Sequence, residues 1–233
     1  MPGLGRKVFT AGDVLTASDV QSYLQDQTVM NFAGTAARSS AIATPTDGMV
    51  TYNQTNDQLE AYNGSAWVGM SGLQLIKKQT IGSAVTSVTV TNAFNATFEN
   101  YRIIITGGVA SAFNWGKFIL GASVASYYCA NSVTTFLAAT TPLAGANNGA
   151  AANNSWSFST TTLDACIDIK NPFLAKATTF SFQNTYQAGA TAAGASNGGG
   201  WHNSAVSYTD ITFSPVGAET LTGGTIYIYG YGV

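Results

Sequence analysis

The tripeptide Trp201-His202-Asn203 brings an indole, an imidazole and an amide together directly after a glycine-rich run. A flat aromatic face suits the C–H side of a sugar ring and an amide suits its hydroxyls, so these residues form a candidate receptor-binding patch. In the plainer reading Trp201 restarts a strand and packs inward, leaving His202 exposed. Trp115, beside Asn114 in a glycine-bounded stretch, is open to the same two readings.

Catalysis has thinner support. Glycoside hydrolysis needs two carboxyl groups about 5 to 9.5 Å apart. Asp164 and Asp168 share one face of one predicted strand, and four residues at about 3.3 Å each separate them by about 13 Å. They are predicted to mark a solvated face. A Ser-His-Asp arrangement would have to use His202, the single histidine, and no nucleophile-elbow sequence accompanies it. No glycine-rich run leads into the lysine and helix of a phosphate cradle. The sequence therefore predicts a non-enzymatic protein with no catalytic residue. Cys129 and Cys166 stand in strand-like contexts with no Cys or His within four residues. One histidine cannot complete a structural zinc site, so no metal and no cofactor are expected. One disulfide between them is arithmetically possible, but a reducing cytosol favours two buried free thiols.

Charged residues make up only 9% of the 233 residues, with a formal net charge of -2. Ordinary globular domains carry about a quarter. Solubility must then come from hydroxyls and amides, which suits a displayed β surface and not the steering of a charged ligand. The longest basic run is Lys77-Lys78, too little to neutralise a phosphate backbone, so nucleic acid is not an expected partner. No charged-then-apolar leader and no apolar run of roughly 20 residues is present, so membrane insertion is not expected and synthesis in a cytosol is.

The elements that would position these residues fall into two dissimilar parts. Thr16-Ala-Ser-Asp19 has the form of a capping box, with Leu15 as a staple and Val20, Tyr23 and Leu24 on one helical face, predicting a helix over 17–31. Pro45, Asp47 and Gly48 mark a turn. Met49–Tyr52, Leu59–Tyr62 and Ala66–Val68 then read as a three-stranded antiparallel meander. So small a sheet, with Tyr52 and Trp67 in it, needs the helix or a neighbouring subunit to pack on. Residues 71–79 read as a connector, which divides the chain into 1–72 and 73–233.

Beyond it, period-2 alternation recurs: Val88 and Val90, Leu163 to Ile169, and Phe180 and Phe182. Tyr101–Thr106, Lys117–Leu120, Trp156–Thr160, Val206–Phe213 and Thr225–Tyr231 are further strands. In the last of these Ile226 and Ile228 alternate with Tyr227, Tyr229 and Tyr231, a row suited to packing or to an interface. The fold class is mainly β: a small N-terminal helix with a meander, followed by an antiparallel β-sandwich of jelly-roll-like kind. The charge-free stretches 144–154 and 189–200 lack bulk and are predicted as mobile loops between strands.

The run Phe9-Thr-Ala-Gly-Asp13-Val-Leu15-Thr-Ala-Ser-Asp19-Val20, followed by Tyr23-Leu24 and Asp26-Gln27, carries a resemblance. Taken with Arg38, Pro45, Asp47-Gly48-Met49-Val50 and Tyr62-Asn-Gly-Ser-Ala-Trp67-Val68, it resembles the N-terminal region of tailed-bacteriophage minor structural proteins. Phe98–Ile105 and Gly223–Tyr231 are similar, more generically, to β-sandwich ends of phage fibre and head-appendage proteins. The resemblance implies a virion component assembled in the host cytoplasm. Its residues 1–72, through Leu15, Val20, Tyr23, Leu24, Tyr52 and Trp67, would anchor it to other virion proteins of tail or capsid. It also implies a homotrimer. Two roles fit: a short tail or head fibre that attaches to a host-surface glycan, or a capsid decoration protein that stabilises the head.

Overall fold

The structure, a computed structural model, describes residues 10–20, 28–70, 72–135, 140–187 and 193–231. The chain divides into two compact units, one up to Gly72 and one from Leu73 to Tyr231. It is mainly β, with antiparallel sheets, and among the described residues its two helices are both in the first unit.

Helix α1, Ala17–Asp19, begins at the expected capping box. Thr16 Oγ1 accepts from the Asp19 amide at 3.1 Å, and Asp19 Oδ2 accepts from the Thr16 amide at 3.2 Å, which satisfies two amides that a helix start leaves unpaired. The predicted continuation to residue 31 fails at its far end, where Met30–Phe32 is strand β1. Met30 and Phe32 flank an exposed Asn31 at period 2, which a parallel partner strand can use and a helix cannot. Leu15, expected to act as a staple, is exposed. Val20 follows α1 and is half-buried, and Tyr23 and Leu24 lie outside the described residues.

Helix α2, Thr35–Ala41, is absent from the sequence reading because no capping side chain announces it; Gly34 precedes it without a cap bond. Strands β2 Val50–Asn53, β3 Gln58–Tyr62 and β4 Trp67–Gly69 pair antiparallel in order, and β1 adds to β2. The predicted three-stranded sheet thus has four strands.

The packing between α2 and this sheet is polar. Arg38, 3% exposed, pairs with Glu60, 5% exposed, and donates to Thr51 Oγ1 at 3.4 Å. Its guanidinium lies 4.4 Å over the Trp67 ring. Glu60 Oε1 accepts from Asn56 Nδ2 at 2.9 Å, and Glu60 Oε2 accepts from Asn53 Nδ2 at 3.3 Å. Breaking a buried pair from one side strands the other charge, typically at about 3–5 kcal/mol. Glu60→Gln should therefore unfold this unit selectively, seen as accelerated hydrogen exchange across 50–69 with exchange in 73–231 unchanged. Protection equal to that of the parent would show that the pair carries no such weight.

The second unit contains β5 Leu73–Thr80, β6 Val88–Val90, β7 Asn100–Thr106, β8 Val109–Ala110 and β9 Asn114–Leu120. There follow β10 Tyr127–Thr135, β11 Thr140–Gly149, β12 Ala152–Phe158, β13 Leu163–Lys170 and β14 Thr178–Gln187. The chain closes with β15 Ala193–His202, β16 Ile211–Pro215, β17 Leu221–Thr222 and β18 Thr225–Tyr231. One array runs β11-β10-β15-β14-β13-β7-β18-β5, and a second runs β12-β9-β16-β6. They join where Ser157 and Phe158 of β12 pair with Asp164 and Leu163 of β13. A short β8–β17 ladder completes the unit.

Alternating side chains of the two arrays meet in one core. Phe118 of β9 lies edge-on to Phe180 of β14 at 5.0 Å, and Tyr127 Oη of β10 accepts from the Leu120 amide at 2.7 Å. Trp156 is fully buried over Gly116, where a Cβ would stand 2.0 Å from the indole. Ile226 and Ile228 are buried, while the three tyrosines of β18 take the other face. The strand predicted to start at Val206 starts only at Ile211.

Three segments differ from expectation. The predicted connector 71–79 holds β5, paired to β18. The stretches 144–154 and 193–200, predicted as loops, contribute to β11, β12 and β15, and the rest of the second predicted loop, 189–192, lies outside the described residues. β15 is a central strand, bonded to β10 on one side and to β14 on the other. Its glycines fit because the neighbouring strands come so close. A Cβ on Gly198 would stand 2.3 Å from the Ala130 carbonyl oxygen, and one on Gly194 would stand 2.8 Å from the Tyr186 hydroxyl. Phe180, Phe182 and Tyr186 of β14 project over the core face that the glycines leave bare. The low-complexity run thus supplies backbone to the sheet while its neighbour supplies the bulk.

Candidate functional site

The outer face of the larger array is ordered into rows by strand register. Tyr128, Trp201, Thr179 and Lys170 lie side by side on β10, β15, β14 and β13. In the next row stand Ala130, Gly199, Ser181, Asp168 and Arg102, the last on β7. The third row holds Ser132, Asn197, Gln183 and Cys166. The middle row is hollow at Ala130 and Gly199, which carry almost no side chain. Trp201 and Asn197, four residues apart on β15, rise on either side of it about 13 Å from one another. A groove lined by Arg102, Asp168, Cys166, Ser181, Gln183 and Asn197 encloses about 440 Å³, within the range that holds a small ligand, and Trp201 stands one row beyond its lining.

The groove and the row beside it offer different chemistries. Trp201 is 48% exposed and stacks on Tyr128 with ring centroids 5.2 Å apart and planes 15° from parallel, presenting a two-ring apolar platform. Ser181, Gln183 and Asn197 are exposed, and among the described residues their side chains have no hydrogen-bond partner in the chain. The closed end is an ion pair: Arg102 Nε donates to Asp168 Oδ1 at 2.9 Å and Nη2 to Oδ2 at 2.8 Å. Tyr231 Oη donates to the same Oδ1 at 2.6 Å. Burial pushes the Asp168 carboxyl up, but the hydrogen bonds from Arg102 and Tyr231 outweigh it and hold the group below the usual carboxylate range. Burial and the bond to Asp168 push the Tyr231 phenol up to about 12. Asp168 is therefore ionised and Tyr231 protonated at neutral pH, a fixed arrangement of donors around one carboxylate. Burial also pushes the Cys166 thiol up, so it is not the reactive thiolate form.

The sequence-predicted site residues are distributed differently from expectation. Trp201 faces solvent instead of packing inward. His202, the next residue, points to the opposite side of the strand and is fully buried, where exposure was expected. The strand period of two dictates this inversion: if the indole is outside, the imidazole must be inside. There His202 packs against Tyr127 at 4.3 Å and Tyr208 at 5.4 Å, and its Nε2 lies 2.7 Å from Ser123 Oγ. Burial lowers its pKa, so it is neutral at pH 7. Asn203 is exposed just past the end of β15. Trp115 and Asn114 belong to β9 in the other array, Trp115 against Phe113 and Tyr186 and Asn114 donating to Glu219 Oε1 at 2.8 Å. The structure does not bring them to Trp201.

Asp164 and Asp168 are not a bare solvated pair. Asp164 Oδ2 accepts from the Thr185 amide at 2.9 Å and hydroxyl at 2.6 Å, and Asp168 is held by Arg102. Cys129 is a buried free thiol; Cys166 is free but half-buried at the groove. Tyr128, Arg102, Ser181, Gln183 and Asn197 escaped the sequence reading because their proximity depends on register across five strands, which no local pattern encodes.

In the first unit, Trp67 lies on the Arg38 side of the sheet, its ring tilted against Tyr62 with centroids 5.4 Å apart. Tyr52 lies on the other side, with Leu59 opposite it and Val50, Ala61 and Val68 alongside, all at least partly exposed. Among the described residues no helix is long and apolar enough to cross a membrane, and no cluster of three metal-ligating side chains occurs. Compared with protein-family models, with curated proteins and with solved structures, the chain matches none.

Proposed function

We propose that this protein is a non-enzymatic bacteriophage virion component of the short tail-fibre or head-fibre type, whose second unit attaches to a host-surface glycan. The observation that carries the glycan part is an open groove lined by the unpartnered amides of Gln183 and Asn197, with the stacked Trp201–Tyr128 platform on the same sheet face one row beyond it. Stacking on a sugar's C–H face while amides bond its hydroxyls is the usual division of labour in saccharide recognition. The two carboxylates of β13 are already engaged by Thr185 and Arg102, which suits binding and not general acid–base work.

The virion part is supported by the residue pattern of 9–68 set out above. The partly exposed apolar face of Val50, Tyr52, Leu59, Ala61 and Val68 is a surface of the kind a docking partner covers. In this reading the second unit is a jelly-roll-like sandwich, the assembly is a homotrimer, and residues 1–72 dock on tail or capsid. The experiment is to assemble particles with and without the chain and to screen the purified protein on a glycan array. A fibre gives defined glycan binding and particles that lose adsorption with heads of unchanged strength. Fragile heads without any glycan binding would overturn the reading in favour of a capsid decoration protein.

A further inference from the structure

The ligand's charge can be read from the groove. The three rows across β14, β13 and β7, with the row of Asp164 beside them, carry four charged side chains: Lys170, Arg102, Asp168 and Asp164. They sum to zero. The one cation at the closed end of the groove, Arg102, is committed through two nitrogens to Asp168. A carboxylate offers about four lone-pair positions. Two bonds on Oδ1 and one on Oδ2 leave one acceptor site on Asp168 Oδ2, and Arg102 keeps N–H groups beyond the two it donates there. One acceptor next to one donor matches adjacent hydroxyl groups, one donating and one accepting.

An anionic sugar would meet a different situation. Its carboxylate would have to approach Arg102 across an ionised Asp168 already 2.8 Å from the guanidinium, and like charges so placed repel. The other cation of these rows, Lys170, stands one row away at the Trp201 side and does not line the groove.

Resting on the glycan reading above, we infer that the groove takes an uncharged saccharide, a vicinal diol of one sugar unit held by Asp168 and Arg102 and a neighbouring unit reaching the Trp201 platform one row away, and discriminates against sialylated or uronic-acid glycans. The amides of Gln183 and Asn197 line the far rim and hydrogen-bond hydroxyls without regard to charge.

The test uses the full-length protein on matched neutral and acid-bearing oligosaccharides by calorimetry, in low and in high sodium chloride. Neutral glycans should bind with an affinity that changes less than about twofold with salt, and acidic analogues roughly tenfold more weakly. Asp168→Asn, checked for an unchanged circular dichroism spectrum, frees Arg102 and leaves the groove net positive. It should weaken neutral glycans and shift the preference towards acidic ones. Tighter binding of acidic glycans by the parent, or a steep loss of affinity with salt, would overturn the inference while leaving glycan attachment standing. If neither class binds, glycan attachment itself falls.

Discussion

Trp201→Ala is expected to weaken saccharide binding about 30-fold, equivalent to about 2 kcal/mol, while leaving the fold intact. The residue stands on a solvent-facing rim and packs on Tyr128 alone among the rings, so its removal opens no cavity in the core. A stacking platform contributes only when the ligand is present, and thermal stability should change by no more than about 0.5 kcal/mol, as for other exposed substitutions. Phenylalanine at 201 should recover part of the affinity by restoring an apolar face of smaller area. Calorimetry on the three proteins decides the matter. Equal affinities would place the ligand elsewhere on the molecule, and a large fall in melting temperature would make Trp201 structural.

Gly200→Val should destabilise the second unit by about 3 kcal/mol or more. Intrinsic preference points the other way, since glycine inside a strand costs roughly 0.5–1 kcal/mol and valine is a strong strand former. Close approach decides. A Cβ at Gly200 would stand 2.0 Å from the Tyr128 carbonyl oxygen and 2.7 Å from Cys129 Cα, both backbone atoms that cannot turn aside. Relief would require β10 and β15 to separate, with loss of ladder bonds on a strand that bridges two others. Ala195→Val, on the outer face of the same strand, serves as the control and should move stability little. Urea denaturation of both variants measures the difference. A neutral Gly200→Val would mean that 193–202 is the loop its composition suggests.

That contrast locates where sequence reasoning succeeds. Alternation in Leu163–Ile169, Phe180–Phe182 and Ile226–Tyr231 marks strands because the period is local and the burial it demands is strong: all of Leu163, Ile167, Ile169, Phe180, Phe182, Ile226 and Ile228 are buried. The capping box at Thr16 and Asp19 is equally local, a contact between residues three apart. Composition fails at 144–154 and 193–200, because a glycine-rich strand owes its place to its neighbours in the sheet. Gly198 and Gly200 lie between β14, the preceding strand, whose Phe180 and Phe182 cover them, and β10, which is brought in from far earlier in the chain.

Composition and alternation alone establish a charge-poor, mainly β chain with a change of character near residue 72, and mark Trp201 as a candidate for ligand contact. The sequence also holds Arg38 and Glu60 without hinting that they meet. Packing of the folded sheets sets Trp201 outward and His202 inward, puts Tyr128 behind the indole and brings Arg102 onto Asp168. The reason is that side-chain alternation gives each strand two faces but does not say which is buried, and register between strands sets which residues become neighbours. Both are fixed when the arrays close on their common core, and the groove exists only from that point.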